Sequence, residues 1–468
     1  MTVTSSLDLD RLTQRIGQEI FARVGSGPTP FSPAWWDDRL MELTMSNEAL
    51  KLQLFRFVDV LPQLDTPAAI VRHLREYLEE AREHLPPGLL TAVRLLPCSG
   101  PLATLLAWFT RFAARRLARK FIAGSRVQEA IAAVERMRRQ NLTFTVDLLG
   151  EATLTEAEAE AAQAEYLQLI RGLAAEVNTW PENPLIDRDD RGPISRVNVS
   201  VKLSALYSQF DPIDPEGTSR EVRARLRPIL RAARENQAFV NFDMEQYAFK
   251  DTTLQIFREI LLEPEFRDWS EVGLAMQAYL RDTEADLEQL LTWVKQRGTP
   301  VWVRLVKGAY WDYETIQARQ LGWPVPVWAE KWQSDAAYER CTAFLIQQRD
   351  WLRPAFGSHN IRSLSYAMAL ARLHQLPPGA IEMQMLYGMA DPIKQVLVEM
   401  GQRVRVYTPY GELLPGMAYL VRRLLENTAN ESFLRAGFAE GVPPERLLRD
   451  PVQVGRRRVA TVVGTSGM

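Results

Sequence analysis

Tyr419, Arg422, Arg423 and Glu426 share one narrow face of any helix built on Tyr419-Leu-Val-Arg-Arg-Leu-Leu-Glu426, because steps of three and four residues nearly complete a turn of 3.6. Leu420, Val421, Leu424 and Leu425 make the opposite face apolar. That face docks the helix on a core and leaves two adjacent guanidiniums projecting beside a phenol and a carboxylate. Each guanidinium is a planar fork of donors that meets a carboxylate through paired hydrogen bonds and stays charged at any working pH. The chemistry suited to such a pair is the capture of a small carboxylate. The same spacing also serves a solvated, salt-bridged face, since Arg and Glu three or four residues apart pair readily. The surroundings of the helix must decide.

Beyond about Arg139, eight short runs rich in Val, Ile and Phe are each followed by a stretch of helical period, the pattern of a parallel sheet built from crossover units. The spacing predicts strands over 142–148, 196–202, 238–244, 272–277, 300–307, 354–358, 381–386 and 403–407. It predicts helices over 156–177, 219–235, 253–262, 283–296, 330–349, 361–373, 392–400 and 416–427. Eight units over roughly 290 residues match an α/β fold, a (β/α)8 TIM-like barrel, for which about 250 residues is typical. An open doubly wound sheet competes, but no Gly-rich dinucleotide fingerprint follows any strand.

In a barrel, chemistry gathers where strands end. There the chain places Asp147 with Glu151 close behind, Lys202, Asp243, Gln277, Arg304 through Lys307, Ser358-His-Asn360, Gln384 and Tyr407. Each alone has an ordinary explanation: a strand-end Asp caps a turn or helix, His359 caps the helix that follows, Gln277 satisfies stray backbone groups. Core positions call for Val, Ile and Leu rather than charges. Polar residues at every strand end, converging on a mouth that the Arg422–Arg423 face also meets, point to a site.

Residues 1–140 read as an all-helical arm or domain, with helical period over 50–58, 70–80, 102–121 and 127–137, ahead of a barrel over 141–433 and a tail over 434–468. The stretch 101–120 joins Leu, Trp and Phe to a cationic end, which suits an interfacial helix; packing of its apolar face on the barrel is the commoner use of such a pattern. The composition is that of an ordinary soluble protein, 46% hydrophobic and 24% charged over 468 residues. A net charge of −2 argues against broad nucleic-acid binding. Cys98 and Cys341 supply neither a disulfide framework nor a Cys-based metal site. The opening Met1-Thr-Val-Thr-Ser-Ser-Leu-Asp lacks a basic region followed by an apolar core, so no signal peptide is expected. The best apolar stretch, 89–109, is broken by Arg94, Pro97, Gly100 and Pro101, short of the ~20 clean residues of a membrane span. A cytoplasmic protein is expected.

Val201-Lys-Leu-Ser-Ala205, Asn241-Phe-Asp-Met-Glu245, Arg304-Leu-Val-Lys-Gly-Ala-Tyr-Trp311, Gln384-Met-Leu-Tyr-Gly388 and Tyr419 to Asn427, in that order, resemble proline dehydrogenase, in particular the proline dehydrogenase part of bacterial bifunctional proline-utilisation enzymes. The resemblance implies FAD at the C-terminal mouth of a distorted barrel and oxidation of L-proline to Δ1-pyrroline-5-carboxylate by hydride transfer to flavin, the first step toward glutamate. It implies that Lys202, Arg422 and Arg423 hold the substrate carboxylate, that Tyr407, Tyr419 and Leu386 wall the ring, that Asp243 lies near the substrate end of the flavin, and that Arg304 bonds the hydride-accepting nitrogen. The implied FAD contacts are Met244, Gln277, Arg304, Val306, Lys307, Gly308, Ala309, Tyr310, Trp311, Lys331, Ser358, His359, Gln384 and Glu426, with Lys307 facing the pyrophosphate. Gly308 and Ala309 are small enough to let backbone approach the cofactor. Glu151 is implied to pair with an active-site Arg as a loop closes.

Ala329 and Ser358 stand where the family commonly has Thr, which loosens those two cofactor contacts. A quinone is the implied electron acceptor, which brings transient contact with a membrane, at the inner face if peripheral. The chain ends soon after the barrel, without the aldehyde dehydrogenase half of bifunctional relatives, for which a separate aldehyde dehydrogenase partner and a truncation of a longer chain are both open, and no ribbon-helix-helix DNA-binding segment is found. Two rival readings remain at this level: a barrel lyase forming a Schiff base on Lys202 or Lys307, and a barrel that binds proline without turning it over.

Overall fold

The computed structural model describes residues 6–24, 53, 56–57, 60–84, 91, 94–95, 97–150, 153–412 and 442–456. Glu151, Tyr419, Arg422, Arg423 and Glu426 lie outside the described residues, as does the helix expected over 416–427.

Helices α1 (Ser6–Val24), α2 (Pro67–Glu80), α3 (Gly100–Phe121) and α4 (Val127–Arg139) precede the first barrel strand. The strands are β1 (Thr143–Leu148), β2 (Val197–Val201), β3 (Ala238–Phe242), β4 (Val272–Gln277), β5 (Val301–Val306), β6 (Leu352–Gly357), β7 (Glu382–Leu386) and β8 (Arg403–Tyr410). Between them run α5 (Glu156–Val177), α6 (Pro215–Glu235), α7 (Tyr247–Leu262), α8 (Thr283–Arg297), α9 (Trp311–Leu321), α10 (Lys331–Gln347), α11 (Ile361–Leu373) and α12 (Asp391–Glu399), and α13 (Pro444–Leu447) follows. All eight strands pair in parallel and in sequence order, and β1 pairs with both β2 and β8, which closes the barrel. The open-sheet alternative is thereby set aside.

Period-two alternation divides every strand between two environments. Outward-facing Val199, Val240, Leu274, Val303, Phe356, Met383 and Val406 are 0–1% exposed and pack under the helices, each such burial contributing about 1.5–3 kcal/mol. Phe242 on β3 meets Phe257 on α7 edge to face at 5.0 Å. The inward positions are largely polar or charged, among them Thr145, Ser200, Asn241, Arg304, Glu382, Gln384 and Arg405, all buried. A barrel interior is commonly filled with branched aliphatics. Here it is a hydrogen-bonded network, so the lumen is organised by polar pairing.

Local signals start several helices. The Thr155 side chain accepts from the Glu158 N–H while Glu158 reaches back to the Thr155 N–H, a capping box for α5. Asn360 caps α11, its side chain accepting from Ser363 N at 3.3 Å. The expectation that His359 is the cap is therefore corrected: its Nε2 accepts instead from Leu386 N at 2.9 Å, tying the end of β6 to the end of β7.

Three described elements were not singled out from sequence. α1 lies against α11 and α12 and buries Ile16 and Ile20 completely in the barrel's own core. Buried Arg362 pins that contact by donating to Asp10, to Glu339 Oε1 at 2.7 Å and to Leu448 O at 2.9 Å. A short hairpin pairs Arg188–Asp189 with Gly192–Pro193, and α9 begins directly after the β5 loop.

α3 departs from the expectation that its apolar face packs on the barrel. Its buried stripe consists of Ala103, Ala107, Ala114 and Ala118, nested on Ile70 and Val71 of α2, because small side chains allow close approach of the two helices. Leu102 (65%), Leu105 (61%), Trp108 (61%) and Phe109 (59%) face solvent, and Trp108 stacks on Phe112 at 5.5 Å. The end of α3 abuts the loop after β7, where a side chain on Gly388 would come within 2.0 Å of Lys120 O. Among the described residues no helix is long and apolar enough to cross a membrane.

Candidate active site

Arg304 occupies an inward position on β5, where period two places it in the lumen two residues before the strand end. Its Nη1 donates to Asp243 Oδ1 at 2.6 Å and to Ser200 Oγ at 3.0 Å, and its Nε donates to Gln384 Oε1 at 2.7 Å. Its guanidinium carbon stands 5.1 Å from the centre of the Tyr407 ring, within cation–π range. The Tyr407 hydroxyl donates to Asp243 Oδ2 at 2.6 Å. Burial first, then the carboxylates of Asp147 and Asp243, push this phenol well above its ordinary value, so it remains a donor. Asp243 thus joins a cation and a phenol from two other strands.

Beside this set, Lys202 directs its Nζ to Asp147 and to Leu148 O at 3.1 Å. Burial alone would pull the lysine down, but Asp147 first, together with Tyr166 and Asp243, holds Lys202 above its ordinary value. The group is a fixed cation. Glu245, pushed up by burial, accepts from Ser204 Oγ at 2.5 Å. Gln277 Nε2 donates to Glu245 O at 3.1 Å, as expected of a residue satisfying stray backbone, yet its Oε1 is buried with no hydrogen-bond partner among the described residues.

These groups floor an open cleft. Lys202, Asp243, Met244, Gln277, Arg304, Val306, Lys307, Gly308, Ala309, Tyr310, Ser358, His359, Gln384, Leu386 and Tyr407 all line it. Trp311 and Lys331 do not. Trp311 opens α9 on the surface, 40% exposed, with its Nε1 donating to Trp328 O at 2.7 Å. Lys331 is held away at 2.7 Å from Asp335, whose other oxygen accepts from Lys307. Glycine at 308 is required by the loop itself: φ is +130° and a Cβ would fall 2.3 Å from the Tyr279 ring, so local packing excludes a side chain.

Ser200, Thr145, Asn241 and Glu382 were not singled out as site residues in the sequence, although each stands two residues before a noted strand-end residue. Period two, applied inward from Lys202, Asp147, Asp243 and Gln384, is the signal that finds them.

Comparison with known proteins bears on what this cleft does. The family model for proline dehydrogenase matches residues 130–436, and that for the proline utilization A N-terminal domain matches residues 10–121. The bifunctional protein PutA of Klebsiella aerogenes is 30% identical over 363 residues, covering 76% of this chain and 27% of that protein. Proline dehydrogenase 1 of Bacillus subtilis is 27% identical over 336 residues, 72% of this chain and 95% of its own length. The chain therefore spans about a quarter of the length of the bifunctional relative. Among solved structures, proline utilization A from Bdellovibrio bacteriovorus, inactivated by N-propargylglycine, superposes with a TM-score of 0.86 at 45% identity over 95% of this chain and 44% of that one. The Bradyrhizobium japonicum protein shares the fold, with a TM-score of 0.72 at 23% identity over 96% of this chain and 46% of that one.

Proposed function

The chain belongs to the proline dehydrogenase family, and from that premise we propose that it oxidises L-proline to Δ1-pyrroline-5-carboxylate with bound FAD, the first step toward glutamate, and passes the electrons to a quinone. The observation that carries this reading is the cleft floor, where buried Arg304 is held between Asp243 and Gln384 beneath the Tyr407 ring.

The residues present suit the cofactor. The cleft is open at its mouth and combines apolar walls with a few polar groups, as ligand sites do. Gln277 Oε1 offers a buried acceptor to a flavin imide N–H, and Lys307 offers positive charge to a pyrophosphate. Met244, Val306, Gly308, Ala309, Tyr310, Ser358 and His359 would complete the walls, and Glu426 keeps its proposed place from sequence. Bound FAD would supply the two-electron acceptor for hydride.

The chain's own residues do the rest. Arg422 and Arg423, with charged Lys202, would hold the carboxylate, and Tyr407, Tyr419 and Leu386 would wall the ring. Glu151 would pair with an active-site Arg on closure. The amine loses its proton to Asp243 or to solvent, and the adjacent ring carbon then loses hydride. Positioning and electrostatics carry this chemistry. Buried Arg304 would supply a desolvated positive charge to stabilise the negative charge that builds on the acceptor. A Schiff-base role for Lys202 is disfavoured, because that chemistry needs a neutral amine and Asp147 keeps this one charged.

Delivery of electrons to a membrane quinone would use the exposed Leu, Trp and Phe face of α3, flanked by exposed Arg115, Arg116 and Arg119. Removal of the aldehyde-level product would fall to an aldehyde dehydrogenase.

The test is the visible spectrum of the purified protein under anaerobic conditions. Flavin absorption that bleaches on adding L-proline is the expected result. Protein without flavin, or flavin indifferent to L-proline, would overturn the reading.

A further inference from the structure

Below the cleft floor lies a second charged layer. Glu382 on β7 is 1% exposed, and donors fill its carboxylate. Oε1 accepts from Arg405 Nε at 2.7 Å and from Gln384 Nε2 at 2.8 Å, while Oε2 accepts from Arg403 Nε and Arg405 Nη2, both at 2.9 Å. Burial alone would push this carboxyl up, but Arg405 and Arg403 hold it at about 2. Glu382 is therefore an acceptor only.

That has a consequence two residues along the strand. An amide has one donor end and one acceptor end, and a carboxylate can receive only the donor. Gln384 must turn its Nε2 to Glu382, which presents its Oε1 to Arg304 Nε at 2.7 Å. The reversed amide would set its oxygen against the Glu382 carboxylate and its NH2 against the Arg304 Nε–H. Arg304 is thus gripped at Nε from β7 and at Nη1 from Asp243 on β3, the latter at 2.6 Å, which fixes the plane of the guanidinium.

We propose that Glu382 is a positioning residue: acting through Gln384, it selects the amide orientation that holds Arg304 in place at the cleft floor. Glu382 lies a layer below the cleft and does not line it. The proposal rests on the reading of Arg304 given above and deepens it. A purely structural Glu382 that only neutralises Arg403 and Arg405 affects stability and leaves the cleft unchanged.

The experiment uses the flavin-loaded protein and reads two quantities, the midpoint potential of the bound flavin and the proline kinetics. In Glu382→Gln the residue at 382 gains a donor, and Gln384 is free to reverse. The expected result is a lower midpoint potential together with a fall in kcat of about tenfold or more and a KM for proline changed by less than about twofold. On an Arg304→Lys background the same change should add nothing further, as for residues acting in one chain. If the single variant fails to fold, Glu382→Gln with Arg405→Gln removes one charge of each sign and is read in its place. Unaltered potential and kcat in the variant that folds, or effects that add to those of Arg304→Lys, would overturn the relay. Wild-type potential and kcat in Arg304→Lys itself would instead overturn the reading of Arg304.

Discussion

Arg304 and Asp243 meet at 2.6 Å on the floor of the cleft, both more than nine-tenths buried. The pair joins β5 to β3 across the barrel axis, and the second Asp243 oxygen accepts from Tyr407 on β8. Three strands far apart in sequence are locked by one carboxylate. Removing one partner of a buried pair leaves the other charge uncompensated, which is the expensive case.

Asp243→Ala should therefore lower the unfolding free energy by roughly 3 kcal/mol or more, read from urea denaturation. Asp243→Asn keeps the volume but removes the charge, and should lose most of the stability that Asp243→Ala loses while also lowering kcat/KM for L-proline. A loss in Asp243→Asn much smaller than in Asp243→Ala would show that packing, not charge, matters here.

Asp335 lies between Lys307 and Lys331, and its folded-state pKa is depressed: burial pushes it up, but the two ammonium groups outweigh burial and bring it to about 2. A depressed carboxylate contributes stability above its unfolded value near 4, and that contribution vanishes as pH falls through about 2. A shift from 3.8 to about 2, at about 1.4 kcal/mol per unit, amounts to ~2 kcal/mol. Asp335→Asn should thus be less stable than wild type at pH 7, and the gap should close toward pH 2. A gap independent of pH between 7 and 2 contradicts the assignment.

The carboxylate grip is tested separately. Arg422→Met or Arg423→Met should raise the KM for L-proline by more than about tenfold, the loss expected for one charge-assisted contact, with flavin retained. Intact proline kinetics in both variants would remove these residues from the site.

Gly308→Ala introduces a side chain at φ +130° and 2.3 Å from the Tyr279 ring. The strain of a side chain there is of order 1–3 kcal/mol, so a lower Tm and a reduced flavin-to-protein ratio are expected. Adding Tyr279→Ala should restore part of the flavin content, because it removes the clash but not the backbone strain.

Trp108→Asp with Phe109→Asp should abolish co-sedimentation with vesicles containing anionic lipid while leaving dye-coupled proline oxidation unchanged, since both side chains point away from the protein. Unchanged vesicle binding would move the membrane contact elsewhere.

The positions of the strands were legible because outward faces need aliphatic residues at every second place, and Val199, Val240, Val303 and Val406 supply them. The strand-end residues were legible because Lys202, Asp243, Arg304 and Tyr407 violate that need. Less was visible of α1, whose partners α11 and α12 lie more than 330 residues away. The direction of α3 was also hidden, because an alanine stripe and a Trp–Phe stripe are both apolar in sequence and only the contact with α2 shows which is buried.

What the sequence determined by itself was a repeating strand–helix pattern and a set of polar residues with the chemistry to hold an anion and a cofactor. What tertiary structure alone decided was how those residues divide their hydrogen bonds. Arg304 carries the same charge in any fold, but its orientation depends on Asp243, Gln384 and Ser200 arriving from three other strands. Glu382 reads as an ordinary acidic residue until closure of the barrel buries it among Arg403, Arg405 and Gln384. Burial removes water as an alternative partner, so the direction of each hydrogen bond is set by long-range neighbours that no local pattern encodes.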